Sequence, residues 1–134
     1  MITHSLSNKN RKKKILCVDN EPDITSLLKM TLERAEFSVD TFNDPSAALK
    51  SFKPNLYDLV VLDILMPNLD GFELYKQLKK LDPDIRICFL TACEIYHEEN
   101  GKEKQCNLDK NLFLQMPMPL KKIVEEINKR LDSR

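Results

Sequence analysis

The stretch Tyr57-Asp-Leu-Val-Val-Leu-Asp63-Ile-Leu-Met-Pro-Asn-Leu-Asp-Gly71 decides the fold of this chain. Leu59 to Leu62 is an unbroken apolar run with two valines, which is typical of a strand buried on both faces. Asp63 follows at the carboxyl end of that strand, where ligands bind in open α/β sheets. Such an acid is held by the strand and open to solvent, as a nucleophile or a metal ligand has to be. Turn residues up to Gly71 then lead into another helical pattern.

Five strand patterns alternate with helical patterns along the chain. Such alternation is typical of a parallel sheet that carries helices on both faces, joined by right-handed crossovers. For five such units the common strand order is 2-1-3-4-5, so a doubly wound, five-stranded α/β fold is predicted. The predicted strands are 15–18, 37–42, 59–62, 85–90 and 112–114.

The helical patterns differ in regularity. The stretch 93–110 is highly charged, contains Gly101 and shows no clean apolar stripe, so it predicts one weak helix or a helical turn with a loop. The first helix has apolar spacing at Ile24, Leu27, Leu28, Thr31, Leu32 and Ala35. The final helix shows the same helical spacing of apolar residues, at Leu120, Ile123, Val124, Ile127 and Leu131.

Length and charge restrict the class of protein. A chain of 134 residues predicts one domain, and 21 basic residues balance 21 acidic ones, so no direct nucleic acid binding is expected. No apolar run reaches the ~18 residues of a membrane span, and no signal peptide is recognisable, so a cytoplasmic protein is expected. The basic run Lys9–Lys14 predicts a flexible tail over 1–12 before a single domain over 13–134. Contact of this run with phosphates or anionic lipid is the other interpretation.

The four cysteines fit a reducing compartment. Cys17 and Cys88 lie inside strand patterns, where a free thiol behaves as a small apolar group. Cys93, His97 and Cys106 could in principle form a metal site, but their spacing matches no common zinc pattern.

Polar residues follow three of the predicted strands. Asp19, Asn20 and Glu21 end the first strand, which neighbours the strand of Asp63 in the predicted order. The fourth strand brings Thr91 to the same edge. Carboxylates and a hydroxyl suit a hard divalent cation and a phosphoryl group, and Mg²⁺ takes oxygen ligands of this kind.

Three motifs in this order carry a family resemblance: Ile15–Asp23, Val60–Pro67 with Asp70-Gly71-Phe72, and Phe89–Ala92. Over residues 13–132 the chain resembles the receiver domain of response regulators in two-component signalling. The fold that this resemblance implies is the flavodoxin-like, CheY-like fold.

The resemblance implies a role for each matching residue. Asp63 is similar to the phosphoacceptor aspartate. Asp19 matches the first member of the family's acidic pair, Asn20 stands at the second, and Leu65 would offer its backbone carbonyl; with Asp63 these would bind Mg²⁺. Thr91 matches the hydroxyl residue that contacts the phosphoryl group.

Two positions depart from the family pattern. Asn20 is neutral, so Mg²⁺ binding is expected to be weak rather than absent. Met116 stands where receivers usually have a lysine, and it has neither a charge nor a donor. Lys121 and Lys122 are on the final helix and are not expected to replace that lysine. Phe113 falls at the position of the family's switch aromatic.

Each candidate also has a structural interpretation. Asp63 could belong to a turn, and Asp19 and Thr91 could cap the helices that follow them. Glu21 is better explained by a favourable interaction with the helix dipole than by metal binding, and Met116 is explained by apolar packing.

The family resemblance and the departures from its pattern leave three alternative functions. The first is a stand-alone, non-enzymatic receiver in a phosphorelay. It takes a phosphoryl group on Asp63 from a histidine kinase or phosphotransfer protein. It would then signal to a partner through the face of the weak helix in 93–110, the fifth strand and the final helix, since no output domain is expected to follow. The second is a phosphorylation-independent interaction module. The third, an aspartate phosphatase, is disfavoured because Leu65 stands where such enzymes commonly have a second acid.

Overall fold

Five parallel strands form one sheet in the order β2-β1-β3-β4-β5, which confirms the predicted fold class and strand order. The computed structural model describes residues 11–64, 66, 69–91, 113–116 and 118–132. The strands are β1 (Lys14–Val18), β2 (Ser38–Phe42), β3 (Leu59–Asp63), β4 (Ile87–Thr91) and β5 (Phe113–Gln115). The helices within these ranges are α1 (Pro22–Arg34), α2 (Pro45–Ser51), α3 (Gly71–Leu81) and the C-terminal helix α4 (Leu120–Asp132).

The strand limits differ slightly from those predicted. β4 starts at Ile87, not at Ile85, because a turn closes after α3: the Ile85 N–H donates to the Asp82 carbonyl at 3.1 Å. β2 begins at Ser38, and β5 covers Phe113–Gln115, one residue later than predicted.

Two apolar clusters pack on opposite faces of the sheet. α1 and α4 cover one face, and α2 and α3 cover the other. The first cluster includes Cys17, Leu28, Leu32, Val61, Ile123 and Ile127. The second includes Val18, Ala48, Leu62, Leu74, Leu78 and Phe89. Burial on both faces is what the apolar run of β3 predicted, since all of Leu59–Leu62 is buried.

The two thiols in the strands are buried as predicted. Cys17 and Cys88 pair with Val61 from either side, so they lie two strands apart on the same face. Both thiols are free, and burial raises the pKa of each to about 12.

Side-chain caps start two of the helices. The Asp44 carboxylate accepts from the Ala47 N–H at 3.3 Å at the start of α2. The Asp70 carboxylate accepts from the Glu73 N–H at 2.9 Å at the start of α3. Each cap satisfies a backbone donor that the helix leaves unpaired and contributes about 1 kcal/mol.

Several predictions fall on residues outside the described ranges. These are the weak helix in 93–110, the Cys93, His97 and Cys106 alternative, and residues 1–10 of the basic tail. The tail residues Arg11 and Lys12 are described and exposed. Within the described ranges, none of the helices is both long and apolar enough to span a bilayer.

Candidate functional site

Asp19 and Asp63 meet at the carboxyl edge of the sheet. Val18 pairs with Leu62, so the next residue on each of these adjacent strands is an aspartate. The two carboxyl groups lie close enough for Asp63 to affect the pKa of Asp19. The sequence pattern predicted this juxtaposition, because neighbouring parallel strands end at the same edge.

Asp19 is buried, with 7% of its surface exposed. Its carboxylate Oδ1 accepts from the Glu21 N–H at 3.0 Å. Burial raises the pKa of the Asp19 carboxyl above its ordinary value, and the negative charge of Glu21 adds to this. The hydrogen bonds with the Glu21 backbone and with Asp63 lower the pKa, but burial outweighs them. The site therefore holds negative charge at a cost in stability, which a bound cation would offset.

We expect Asp19→Asn to stabilise the domain at neutral pH by about 1 kcal/mol, as measured by urea unfolding without Mg²⁺. The raised pKa means that the folded state binds a proton more readily than the unfolded chain. In the wild type, the loss of stability caused by the buried, ionised Asp19 carboxylate is therefore absent below the ordinary pKa of 3.8. It is fully present above the raised pKa of the folded state. Asparagine does not titrate, and its Oδ1 can still accept from the Glu21 N–H. The stability difference between the two proteins should therefore grow with pH across this window.

The exposed acid Asp23, in the first turn of α1, offers a control for that experiment. Asp23→Asn removes the same formal charge without removing a buried carboxylate. A pH-dependent gain in Asp23→Asn equal to that in Asp19→Asn would show that the effect comes from net charge.

The turn after Asp63 is held by the start of α3. The Gly71 N–H donates to the Ile64 carbonyl at 2.9 Å. A Cβ on Gly71 would clash with the Asp63 carbonyl oxygen and stand 2.9 Å from the Ile64 Cα. Gly71 thus allows two backbone segments to approach closely beside Asp63.

The other predicted metal ligands are only partly described. Asn20 is half-buried in the loop after Asp19. Glu21 is exposed and makes no side-chain capping hydrogen bond at the start of α1. Leu65, whose carbonyl the family resemblance assigns to the metal, lies outside the described residues.

β4 and β5 complete the edge of the sheet. Leu90 pairs with Asp63, and Thr91 is the last residue of β4 and pairs with Gln115. The Thr91 side chain lies outside what the structure describes. Met116 follows β5, is half-buried, and packs against the apolar cluster beneath α1 and α4, as its packing interpretation predicted.

Phe113 belongs to a group of aromatic side chains on the other face. Its ring stacks on Phe89, with centroids 5.4 Å apart, and meets the edge of Phe72 at 6.3 Å. Tyr75 contacts Phe89 from the side, at 5.6 Å. Phe113 is therefore turned inward in this structure and is half-buried.

The donors at this edge suit a hard cation. Two carboxylates and an amide oxygen are ligands that Mg²⁺ accepts, and Mg²⁺ keeps several of its waters. Among the described residues no three His, Cys, Asp or Glu side chains converge on one point, which is consistent with asparagine at position 20.

This fold and this edge define a doubly wound α/β domain with an acidic site at the carboxyl edge of its sheet, and comparison with known proteins places it in a family. The model of the response regulator receiver domain matches residues 15–128. The chain belongs to the response regulator receiver domain family, the receivers of two-component systems. Phosphorylation and Mg²⁺ binding are characteristic of that family.

Relatives of known structure or name agree with this assignment. CpdR, a response regulator receiver protein of Brucella abortus, is 29% identical over 89% of this chain and 97% of its own length. PhoP, the alkaline phosphatase synthesis transcriptional regulatory protein of Bacillus subtilis, is 45% identical over 60% of the chain, which spans only 33% of PhoP. TrrA of Thermotoga maritima, solved with Mg²⁺-BeF, is 31% identical, with a TM-score of 0.71 over 88% of this chain and 98% of TrrA.

Sequence reasoning missed one polar residue at this site. The Asn43 side chain donates to the Asp19 carbonyl at 2.8 Å. One signal could have revealed it: Asn43 directly follows β2, whose carboxyl end neighbours that of β1.

Proposed function

We propose that the chain is a phosphorelay receiver that accepts a phosphoryl group on Asp63 from a histidine kinase or phosphotransfer protein. The observation that carries the proposal is the Asp63 carboxyl at the end of β3, in contact with the buried Asp19 carboxyl. Burying a second carboxyl group lowers stability, and a turn does not require one, so the buried Asp19 favours a functional site.

The transfer needs only a nucleophile and a way to neutralise charge. A carboxylate oxygen of Asp63 attacks the phosphorus of a phosphohistidine, and the P–N bond breaks as the O–P bond forms. The electron pair of the broken bond leaves with the imidazole, which takes a proton from solvent. Mg²⁺ neutralises phosphoryl charge when bound. Asp19, Asn20, Asp63 and the carbonyl of Leu65 would hold it, and the Thr91 hydroxyl would contact the phosphoryl group.

Weak Mg²⁺ binding is part of the proposal. Asn20 provides a neutral oxygen where a carboxylate would provide a charge, and Mg²⁺ gives up its waters reluctantly.

A stand-alone, cytoplasmic receiver is the form that we propose, with a flexible tail over 1–12 and one domain over 13–134. CpdR, a response regulator receiver protein of which this chain spans 97%, supports the stand-alone form. TrrA has also been solved in complex with the histidine kinase ThkA, which supports a kinase as the donor. A downstream protein would bind the face of the stretch 93–110, β5 and α4, with no nucleic acid contact and no catalytic activity of its own.

A phosphorylation-independent interaction module is the second candidate. The observation that favours it is Met116, whose thioether side chain packs against the apolar core where a receiver's lysine would reach the phosphoryl group. Such a chain would keep the receiver surface and lose the link from Asp63 to β5.

The test of the first proposal is the intact mass of the protein after incubation with acetyl phosphate and Mg²⁺. The wild type should gain the mass of one phosphoryl group, and Asp63→Asn should gain none, because an amide is not a nucleophile here. Glu73→Gln, an exposed acid in the first turn of α3, serves as the control and should be modified like the wild type.

Unmodified wild-type protein under these conditions would favour the interaction module. Equal modification of Asp63→Asn would place the reactive group elsewhere and contradict the assignment of Asp63.

A further inference from the structure

The Asn43 side chain connects two loops at the carboxyl edge of the sheet. Its amide nitrogen donates to the Asp19 carbonyl at 2.8 Å and to the Thr25 Oγ1 at 2.9 Å. A side-chain amide has two N–H donors, so both are used. Thr25 in turn donates to the Pro22 carbonyl at 3.2 Å. One chain of hydrogen bonds thus runs from the end of β2 to the first turn of α1.

Hydrogen bonds from this region hold the backbone of Asp19, the residue that directly follows β1. β1 ends at Val18, so the β1–β3 ladder does not extend to Asp19. Instead its N–H donates to the Phe42 carbonyl at 3.2 Å, and its carbonyl accepts from Asn43. Both polar groups of the Asp19 peptide backbone are therefore held by the end of β2. Its carboxylate is oriented separately, by the Glu21 N–H.

A purely local role for Asn43 does not fit its partners. The helix that follows it, α2, is capped by Asp44, whose carboxylate accepts from the Ala47 N–H. Neither of these two hydrogen bonds of the Asn43 side chain goes to α2. Adjacent residues thus serve different elements: Asp44 starts α2, and Asn43 holds the loop of Asp19 and Asn20.

We propose that Asn43 is a positioning residue for Mg²⁺ binding, acting through the backbone of Asp19; this inference rests on the proposed function. Groups that orient metal ligands typically change metal affinity by about 10–100-fold when they are removed. Without the Asn43 amide, the Asp19 carbonyl and the Thr25 hydroxyl lose a donor, and the loop of Asp19 and Asn20 gains freedom that Mg²⁺ binding must then remove.

The experiment is calorimetric titration of Mg²⁺ into the full chain, together with thermal unfolding of the metal-free proteins. Asn43→Ala should weaken Mg²⁺ binding by about tenfold. Asp44→Ala is the matched control from the same loop: it should lower the unfolding midpoint through the lost cap and leave Mg²⁺ affinity unchanged. Asn20→Asp should shift the affinity in the opposite direction, because it adds a charged ligand.

The outcomes separate this inference from the proposed function. Equal Mg²⁺ affinity in Asn43→Ala and the wild type overturns the role of Asn43 and leaves the metal site standing. Equal weakening in Asn43→Ala and Asp44→Ala overturns it as well, since general loosening of the loop would then suffice. A wild type that binds no Mg²⁺ overturns the metal site and this inference together.

A measurement on the wild type covers the case in which Asn43→Ala does not fold. The side-chain amide of Asn43 gives its own NMR signals, and both protons are hydrogen-bonded. They should exchange slowly with solvent and shift when Mg²⁺ is added. Rapid exchange without a shift on Mg²⁺ addition would overturn the proposal.

Discussion

Replacing Gly71 with alanine is expected to lower the free energy of unfolding by about 2 kcal/mol and to impair phosphorylation of Asp63. In a helix this change ordinarily stabilises by up to about 1 kcal/mol, because glycine loses more backbone freedom on folding. Here the added Cβ would clash with the Asp63 carbonyl oxygen and stand 2.9 Å from the Ile64 Cα. Both neighbours are backbone, so α3 or the end of β3 has to move. The measurement is urea unfolding with intact mass after acetyl phosphate treatment.

Glu73→Ala is the control for the Gly71 experiment. It places alanine two residues further along the same first turn, at an exposed position. The loss of an acid near a helix start should cost about 0.5 kcal/mol and leave phosphorylation unchanged. A Gly71→Ala protein as stable and as readily phosphorylated as the wild type would show that the contact between α3 and β3 does not position Asp63.

Met116→Lys is expected to tighten binding of beryllofluoride, a phosphoryl mimic, by about tenfold. A hydrogen bond between charged groups contributes about 1.5–3 kcal/mol, and the wild-type methionine has no donor. The lysine stem can occupy part of the apolar space that Met116 fills, and its ammonium can extend from there to the polar carboxyl edge of the sheet. Backbone NMR shift changes around Phe113 and α4 should also be larger in Met116→Lys than in the wild type.

Gln115→Lys provides the matched control for the added charge. Gln115 is exposed and precedes Met116, so a lysine there adds the same charge on the other side of the strand. Beryllofluoride should bind this variant like the wild type. A full response around Phe113 in the wild type itself would show that the lysine is dispensable and that the chain is an ordinary phosphorylation-dependent switch. No response in any of the three proteins would favour the interaction module.

The meeting of Asp19 and Asp63 could be predicted because it follows from topology alone. An apolar run ending in an acid places that acid at the carboxyl edge, and the common strand order makes the two strands neighbours. No side-chain geometry enters this reasoning. The inward position of Met116 was likewise indicated by its chemistry, since a thioether has nothing to offer at a polar edge.

Other features depend on distances that the pattern does not contain. The bond from Asn43 to Asp19 joins residues 24 apart in the chain and requires the register of β1 and β2. Gly71 resembles an ordinary turn glycine until the path of β3 is known. Leu27 and Leu120 were counted with the apolar faces of their helices, yet they are 36% and 40% exposed. Helical spacing predicts which side of a helix is apolar, but not how far its neighbours extend along that side.

The two apolar clusters on opposite faces of the sheet have an evolutionary consequence. Neither cluster includes the polar residues of the site, Asp19 and Asn20, although Asp19 is itself buried. Replacing the Asp19 carboxylate with an amide of the same size alters the chemistry of the site without removing packed atoms, and it is expected to add stability. Met116 adds apolar contact to the interior. A gene that encodes this domain can therefore drift away from signalling while its product stays folded. The descendant keeps a stable surface on which selection can build new binding.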